Sequence, residues 1–124
     1  MSKGYIPRRN DIIWLDFDPT KGKEIGKEIG KYRLALVLSS VEYNKKSGLV
    51  ICCPISTSIR EHITEVRINN LDTPCVAAAN LIQTLSWKDR SMKFGVVADE
   101  GVLDGVLARL IPLIGGEHFF IDSN

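Results

Sequence analysis

The chain has 124 residues with 44% hydrophobic and 25% charged side chains, and its formal net charge is +1. A chain of this length has room for one domain, and its composition argues against disorder, collagen-like repeats and coiled coil. The longest apolar run, residues 34–38, is too short to span a bilayer, and no apolar export segment follows Met1. Three cysteines without metal-site spacing fit a reducing compartment, so we expect one domain, residues 1–124, in the cytoplasm and away from membranes.

The charge is unevenly distributed. Residues 1–46 hold ten Lys or Arg against six Asp or Glu, whereas residues 96–124 hold one against five. A protein that binds nucleic acid over its whole surface should be basic throughout. Any such site is therefore expected to be local and built mainly from the first half of the chain.

Short apolar segments follow one another at close spacing and end in a different kind of element. Strands are predicted at residues 11–17, 32–39, 49–55, 64–68, 76–81, 83–85 and 93–98, with turns at residues 43–48 and 69–70. From Asp99 onward, apolar residues recur at three- and four-residue steps up to Ile114, which predicts an amphipathic helix that Pro112 kinks or ends early. This order favours a mainly β fold, a small barrel or sandwich, closed by a C-terminal helix.

Residues 21–31 match no core element. They repeat Gly-Lys-Glu-Ile, and their three glycines would cost a helix about 3 kcal/mol relative to alanine, so a flexible loop is predicted. The four-residue spacing of Gly22, Gly26 and Gly30 does not supply a Walker phosphate loop, and no dinucleotide fingerprint is present. Arg33 follows this lysine-rich loop. Two interpretations of Arg33 are open: it binds an anion together with these lysines, or it is simply a surface residue.

The other candidate motifs have structural interpretations that compete with the functional ones. Asp16 and Asp18 could hold a metal ion, but Asp18 before Pro19 favours a turn, and no third ligand stands at a recognisable spacing. The hydroxyl clusters at residues 39–40 and 56–58 have no Gly-x-Ser-x-Gly context and are typical of strand ends. We therefore expect neither a metal site nor a serine hydrolase.

Residues 11–22, 32–39, 43–44 and 54–57, with Glu24 between the first two, resemble the MazF/PemK toxins of bacterial toxin–antitoxin systems. The strand, the charged loop, the arginine and the proline-led hydroxyl motif stand in that family's order over roughly residues 5–115. The resemblance implies an SH3-like barrel with a C-terminal α-helix and a homodimer. It also implies a metal-independent, cofactor-free endoribonuclease that cuts single-stranded RNA at a specific sequence and is inhibited by a cognate antitoxin protein.

Carried over by position, the resemblance assigns catalysis to Arg33, Ser56 and Glu24. In this interpretation Arg33 stabilises charge on the phosphate, Ser56 donates a hydrogen bond and Glu24 positions groups or transfers a proton. The expected RNA-binding residues are Lys21, Lys23, Lys27, Lys31, Thr57, Trp87 and Arg90. The chain departs from the family at Leu34, where proline is usual, at Ser56, where threonine is usual, and at residues 80–81, where many members have Asp-Gln. The loop at 21–31 is longer than in close relatives, and the tail at 117–124 extends past the usual end.

Two other function classes remain open on the sequence. A toxin of the same fold can bind DNA gyrase without cutting nucleic acid, and a barrel of this size can simply bind proteins. Neither requires an arginine and a hydroxyl in this arrangement, and activity on bare RNA separates them.

Overall fold

The computed structural model describes residues 4–18 and 32–119. The predicted loop at 21–31 and the last five residues of the tail lie outside this part of the chain. The elements in order are β1 (Asp11–Asp16), β2 (Tyr32–Val37), α1 (Val41–Ser47), β3 (Leu49–Ser56), β4 (Glu65–Ile68), β5 (Cys75–Ala78), β6 (Gln83–Ser86), β7 (Lys93–Val97), α2 (Val102–Leu113) and a 3-10 turn (Glu117–Phe119). The predicted mainly β fold with a C-terminal helix is thus confirmed, and its strands form a curled sheet.

The sheet is antiparallel and runs in the order β4-β5-β3-β2-β1-β7, with β6 also paired to β3. Strand β3 changes partner along its length, because its first half pairs with β6 as far as Cys52 and its end pairs with β5 from Ile55. Pro54 lies between these two stretches. A proline has no N–H to donate to a ladder, so it suits the point where a strand leaves one partner for another.

The central strands β1, β2 and β3 are buried on both faces over most of their length, which explains why they read as continuous apolar runs. Neighbouring residues in a strand point to opposite faces. Accordingly Ile12, Leu36 and Cys53 belong to one core cluster, whereas Ile13 and Cys52 belong to the other. The first cluster lies under α2 and includes its buried residues Val102, Val106 and Leu110.

The predicted turn at residues 43–48 is wrong, because residues 43–47 belong to helix α1 and Gly48 caps its end. The Ser40 hydroxyl accepts a hydrogen bond from the Tyr43 N–H and caps the helix N-terminus. Gly48 ends the helix with a left-handed φ of 74°, and its N–H donates to the Asn44 carbonyl. The glycine that suggested a turn is the C-terminal stop of this helix.

The amphipathic helix predicted after Asp99 is confirmed as α2. Gly105 packs against β4 so closely that an added Cβ would lie 3.0 Å from a Val66 methyl carbon. Pro112 occupies the last turn, one residue before the helix ends, where a missing N–H and the ring clash disturb little of the helix. In the described residues we find no helix that combines the length and the apolarity needed to cross a bilayer.

Candidate RNA-cleavage site

A cleft opens where β2 and β3 part. The register between these strands runs from the Val37–Cys52 pair to the Ala35–Pro54 pair, and the cleft residues lie just beyond it. The cleft has a volume of about 560 Å³. Its lining consists of Trp14, Tyr32, Arg33, Leu34, Ile55, Ser56, Thr57, Leu71, Asp72, Thr73 and Cys75. The structure therefore brings Arg33, Ser56 and Thr57, three of the predicted site residues, to one cavity.

Arg33 is exposed on β2 and is held beside aromatic rings. It pairs with Leu15 of β1, and its guanidinium carbon lies 5.8 Å from the centre of the Phe17 ring. Trp14 and Tyr32 stack with ring centroids 5.5 Å apart, and the Tyr32 hydroxyl donates to the Ser91 carbonyl at 2.9 Å. A guanidinium placed over an aromatic face gains cation–π attraction and keeps its N–H donors for an anion.

Ser56 ends β3, opposite Val76 of β5. Its hydroxyl oxygen accepts a hydrogen bond from the Ser58 N–H at 2.9 Å, which fixes the position of the oxygen. A hydroxyl that accepts one bond still carries its own hydrogen and can donate it to a ligand oxygen. Thr57 follows with an exposed side chain at the same rim.

The sequence analysis missed the contribution of the connection between β4 and β5. Leu71, Asp72 and Thr73 reach the cleft from this connection, and Cys75 lines it from the start of β5. The only signal in the sequence is the turn-forming Asp-Thr-Pro at residues 72–74, which does not reveal that pairing of β5 with β3 folds this turn back toward Ser56.

Trp87 and Arg90, predicted to bind RNA, do not line this cleft. The Trp87 indole donates to the Asn44 carbonyl at 2.9 Å, and the ring lines a second, larger groove. The Arg90 guanidinium donates to the carbonyls of Asp16 at 2.8 Å and Asp18 at 3.1 Å, so it anchors the chain at the end of β1. The other predicted residues, Glu24, Lys21, Lys23, Lys27 and Lys31, lie outside the described part of the chain.

The Asp16–Asp18 pair forms the turn that the sequence favoured. The Asp18 N–H donates to the Asp16 carboxylate at 3.0 Å, as in an Asx turn. Within residues 4–18 and 32–119, His, Cys, Asp and Glu side chains do not gather in groups of three or more that could hold a metal ion. The three cysteines are free thiols, and burial raises the pKa of Cys52 and of Cys53 to about 12.

The chain is similar in sequence and in fold to known proteins. Residues 8–114 match the family model for the PemK-like, MazF-like toxin of type II toxin–antitoxin systems. The endoribonuclease toxin MazF of Escherichia coli K12 is 38% identical over 116 residues, which cover 93% of this chain and all of the relative. Among solved structures, MazF of Deinococcus radiodurans has a TM-score of 0.77 at 32% identity, with 90% of this chain and 98% of that one covered. A MazE–MazF structure from the same organism has a TM-score of 0.81 at 32% identity, with 90% and 97% covered.

Proposed function

The chain belongs to the PemK-like, MazF-like toxin family, which makes it an endoribonuclease toxin of a toxin–antitoxin system, and we propose that it cuts single-stranded RNA without a metal ion. The observation that carries the proposal is the meeting of Arg33 and Ser56 in one cleft. RNA brings its own nucleophile, the 2′-hydroxyl, next to the phosphorus. The enzyme therefore needs orientation and charge stabilisation more than a metal-bound hydroxide.

In the proposed reaction the 2′-oxygen attacks the adjacent phosphorus and the bond to the 5′-oxygen breaks. The products end in a 2′,3′-cyclic phosphate and begin with a 5′-hydroxyl. Arg33 stabilises the negative charge that grows on the phosphate oxygens, and Ser56 donates a hydrogen bond to one of them. The 2′-hydroxyl loses a proton and the departing oxygen gains one, and Glu24 is our candidate for one of these transfers.

We propose that further groups hold the substrate. Thr57 contacts the RNA beside Ser56, and the lysines at 21, 23, 27 and 31 attract the phosphate backbone. We propose that cutting is specific for a short sequence. Asp72 and Thr73 supply the acceptor and donor groups with which the cleft can read a base edge.

The proposed partners are a cognate antitoxin protein and a second copy of this chain, in the cytoplasm where RNA and antitoxin meet. The resemblance to a MazE–MazF structure supports the antitoxin. The end of α2 supports the homodimer, because Leu113 and Ile114 expose 57% and 69% of their surface and a small barrel gains stability by covering such residues. Sedimentation of the purified protein at micromolar concentration tests the dimer, and an active monomer would contradict it.

Incubation of the purified protein with a long single-stranded RNA in EDTA tests the reaction. We expect cuts at recurring positions, cyclic phosphate ends and no cutting of the equivalent DNA, because DNA lacks the 2′-hydroxyl. A requirement for magnesium, or equal cutting of DNA, would contradict the mechanism.

Arg33→Ala tests the site assignment. Loss of one preorganised hydrogen-bond donor in other enzymes costs about 3–4 kcal/mol of barrier, and a guanidinium contributes at least as much, so we expect cleavage to fall by at least about two to three orders of magnitude. Arg67→Ala is the matched control, because Arg67 is an exposed arginine on β4 that does not line the cleft. Nearly unchanged cutting by Arg33→Ala, with Arg67→Ala as the reference, would overturn the assignment.

A further inference from the structure

A second groove lies beside the candidate cleft and has a different chemistry. Its volume is about 960 Å³. We call it the aromatic groove, and its characteristic lining residues are Tyr5, Tyr32, Trp87, Lys88, Lys93 and Phe94. Four aromatic rings and two ammonium groups thus surround one open depression.

The rings are held in place by their own contacts. Tyr5 and Phe94 meet edge to face with centroids 5.3 Å apart, and the Tyr5 hydroxyl hydrogen-bonds the buried Asp11 carboxylate. The Trp87 indole is fixed by its bond to the Asn44 carbonyl. Phe94 and Tyr32 nevertheless leave 45% and 47% of their surface exposed, so both rings are accessible to a ligand in the groove.

The charges of the groove are positive. Lys88 places its ammonium 5.7 Å from the centre of a Trp87 ring, and Lys93 stands next to Phe94 on the edge strand β7. Flat rings beside cations match the two parts of a nucleotide, because bases stack on aromatic side chains and phosphates bind ammonium groups.

The aromatic groove also adjoins the cleft. Tyr32 lines both cavities, with its ring stacked on Trp14 on the cleft side and its hydroxyl fixed to Ser91, a residue of the groove. The cleft that contains Arg33 and the aromatic groove therefore meet at one shared side chain.

We propose that the aromatic groove is a second nucleotide-binding site, which holds a base and phosphate of the same RNA beyond the nucleotides that are cut. The proposal rests on the proposed function, since it extends the RNA path from the cleft. It assigns the base to the rings around Trp87 and Phe94 and the phosphate to Lys88 and Lys93. If so, this protein should bind an RNA that extends past the cut more tightly than a short RNA that fills only the cleft.

The chain has two tryptophans, and each reports on one cavity, Trp14 on the cleft and Trp87 on the groove. Trp14→Phe leaves Trp87 as the only strong emitter, and Trp87→Phe leaves Trp14. Each variant is titrated with a short RNA of about four nucleotides and a long RNA of about twelve, a range that covers known single-strand site sizes. The 2′-hydroxyl at the mapped cut is replaced by hydrogen to prevent cleavage, and mixed-sequence RNA of the same lengths serves if no cut is found.

We expect the short RNA to change Trp14 emission alone and the long RNA to change both. In the full chain, Phe94→Leu and Lys88→Ala should each weaken binding of the long RNA by about tenfold and that of the short RNA by less than about twofold. Lys88→Ala should also reduce the salt dependence of binding by about one phosphate contact. Arg67→Ala, which removes a charge outside the groove, is the control.

The outcomes separate this proposal from the proposed function. Cleavage of RNA together with a Trp87 signal that never responds would overturn the groove and leave the cleavage reaction standing. No cleavage in EDTA, with a Trp87 response to long RNA, would overturn the reaction and support the groove as an RNA site. Phe94→Leu that changes the sedimentation coefficient but not RNA binding would assign the groove to contact between copies of the chain and overturn the proposal.

Discussion

Asn44 holds the N-terminal segment, the end of β2 and helix α1 together, and its removal should cost much of the stability of this domain. The side chain is fully buried. Its amide nitrogen donates to the Pro7 carbonyl at 2.8 Å and to the Ser39 carbonyl at 3.3 Å, and its amide oxygen accepts from the Ser39 hydroxyl at 2.5 Å. Asn44→Ala deletes all three bonds and leaves their partners in place.

The magnitude follows from those partners. Each buried carbonyl that loses its donor costs roughly 1–3 kcal/mol, so the two carbonyls together account for about 3–4 kcal/mol. The Ser39 hydroxyl loses its acceptor on Asn44 but still accepts from the Ile51 N–H at 2.9 Å. The cost at this hydroxyl is therefore smaller than the cost at either carbonyl. Alanine is the better helix former by about 0.6 kcal/mol, which offsets part of the cost. We expect a net loss of about 3 kcal/mol, or about 11 °C in Tm for a domain of this length.

Urea unfolding and thermal melts followed by circular dichroism measure this loss. Lys45→Ala is the matched control, because it changes the neighbouring, exposed residue of the same helix and should alter the free energy of unfolding by less than about 0.5 kcal/mol. Ser39→Ala, alone and combined with Asn44→Ala, measures the coupling between the two side chains. A loss below about 1 kcal/mol for Asn44→Ala would refute the reasoning, since it would mean that water or a shifted backbone satisfies the two carbonyls that lost their donor.

Three further results are expected. Gly95→Ala should destabilise the fold by about 1–3 kcal/mol in urea unfolding, because its Cβ would lie 2.7 Å from the Ile12 carbonyl oxygen, and a melt like that of the unaltered chain would contradict this contact. Burial raises the pKa of both Cys52 and Cys53 to about 12, so their thiols ionise more easily in the unfolded chain. The free energy of unfolding should therefore fall between about pH 9 and about pH 12, by at most about 3 kcal/mol per pH unit, and the double alanine variant should show a flatter decline. Ser56→Ala should slow RNA cleavage by about tenfold through the loss of one neutral hydrogen bond, whereas Ser56→Thr should remain active, and inactivity of Ser56→Thr would argue that the methyl group clashes in the cleft.

The strands and the C-terminal helix could be predicted because their signals are local. Consecutive residues of a strand, such as Ile12 and Ile13, are both apolar and buried on opposite faces of the sheet. In α2 the buried residues recur at helical spacing. Helix α1 was missed because its sequence is short and mostly polar, so the helix propensities of its residues do not predict a helix. The helix depends on a cap at Ser40 and on the buried Asn44. No sequence motif predicts the hydrogen bonds of the Asn44 side chain to the Pro7 carbonyl and to the carbonyl and hydroxyl of Ser39.

The candidate site was predictable only in part, for a similar reason. Arg33 and Ser56 stand in recognisable motifs, and the register of β2 against β3 brings them to the same region of the sheet. Asp72 reaches the cleft only through the pairing of β5 with the end of β3, a contact that no spacing along the chain reveals. Trp87 lies in a groove that it shares with Tyr5 and Tyr32, residues far from it along the chain, so no local pattern reveals its place there.

The change of partner along β3 has a mechanical consequence for catalysis. Arg33 is carried by the ladder of β1 and β2, whereas Ser56 is carried by the ladder of β5, which continues into β4 and so to the underside of α2. The spacing between the two groups therefore depends on the register of β2 against β3 and on how tightly the sheet curls beyond the last pair of that register. If Arg33 and Ser56 act together as proposed, we expect a substitution at the contact between Gly105 and Val66 to change the rate of cleavage without altering either group.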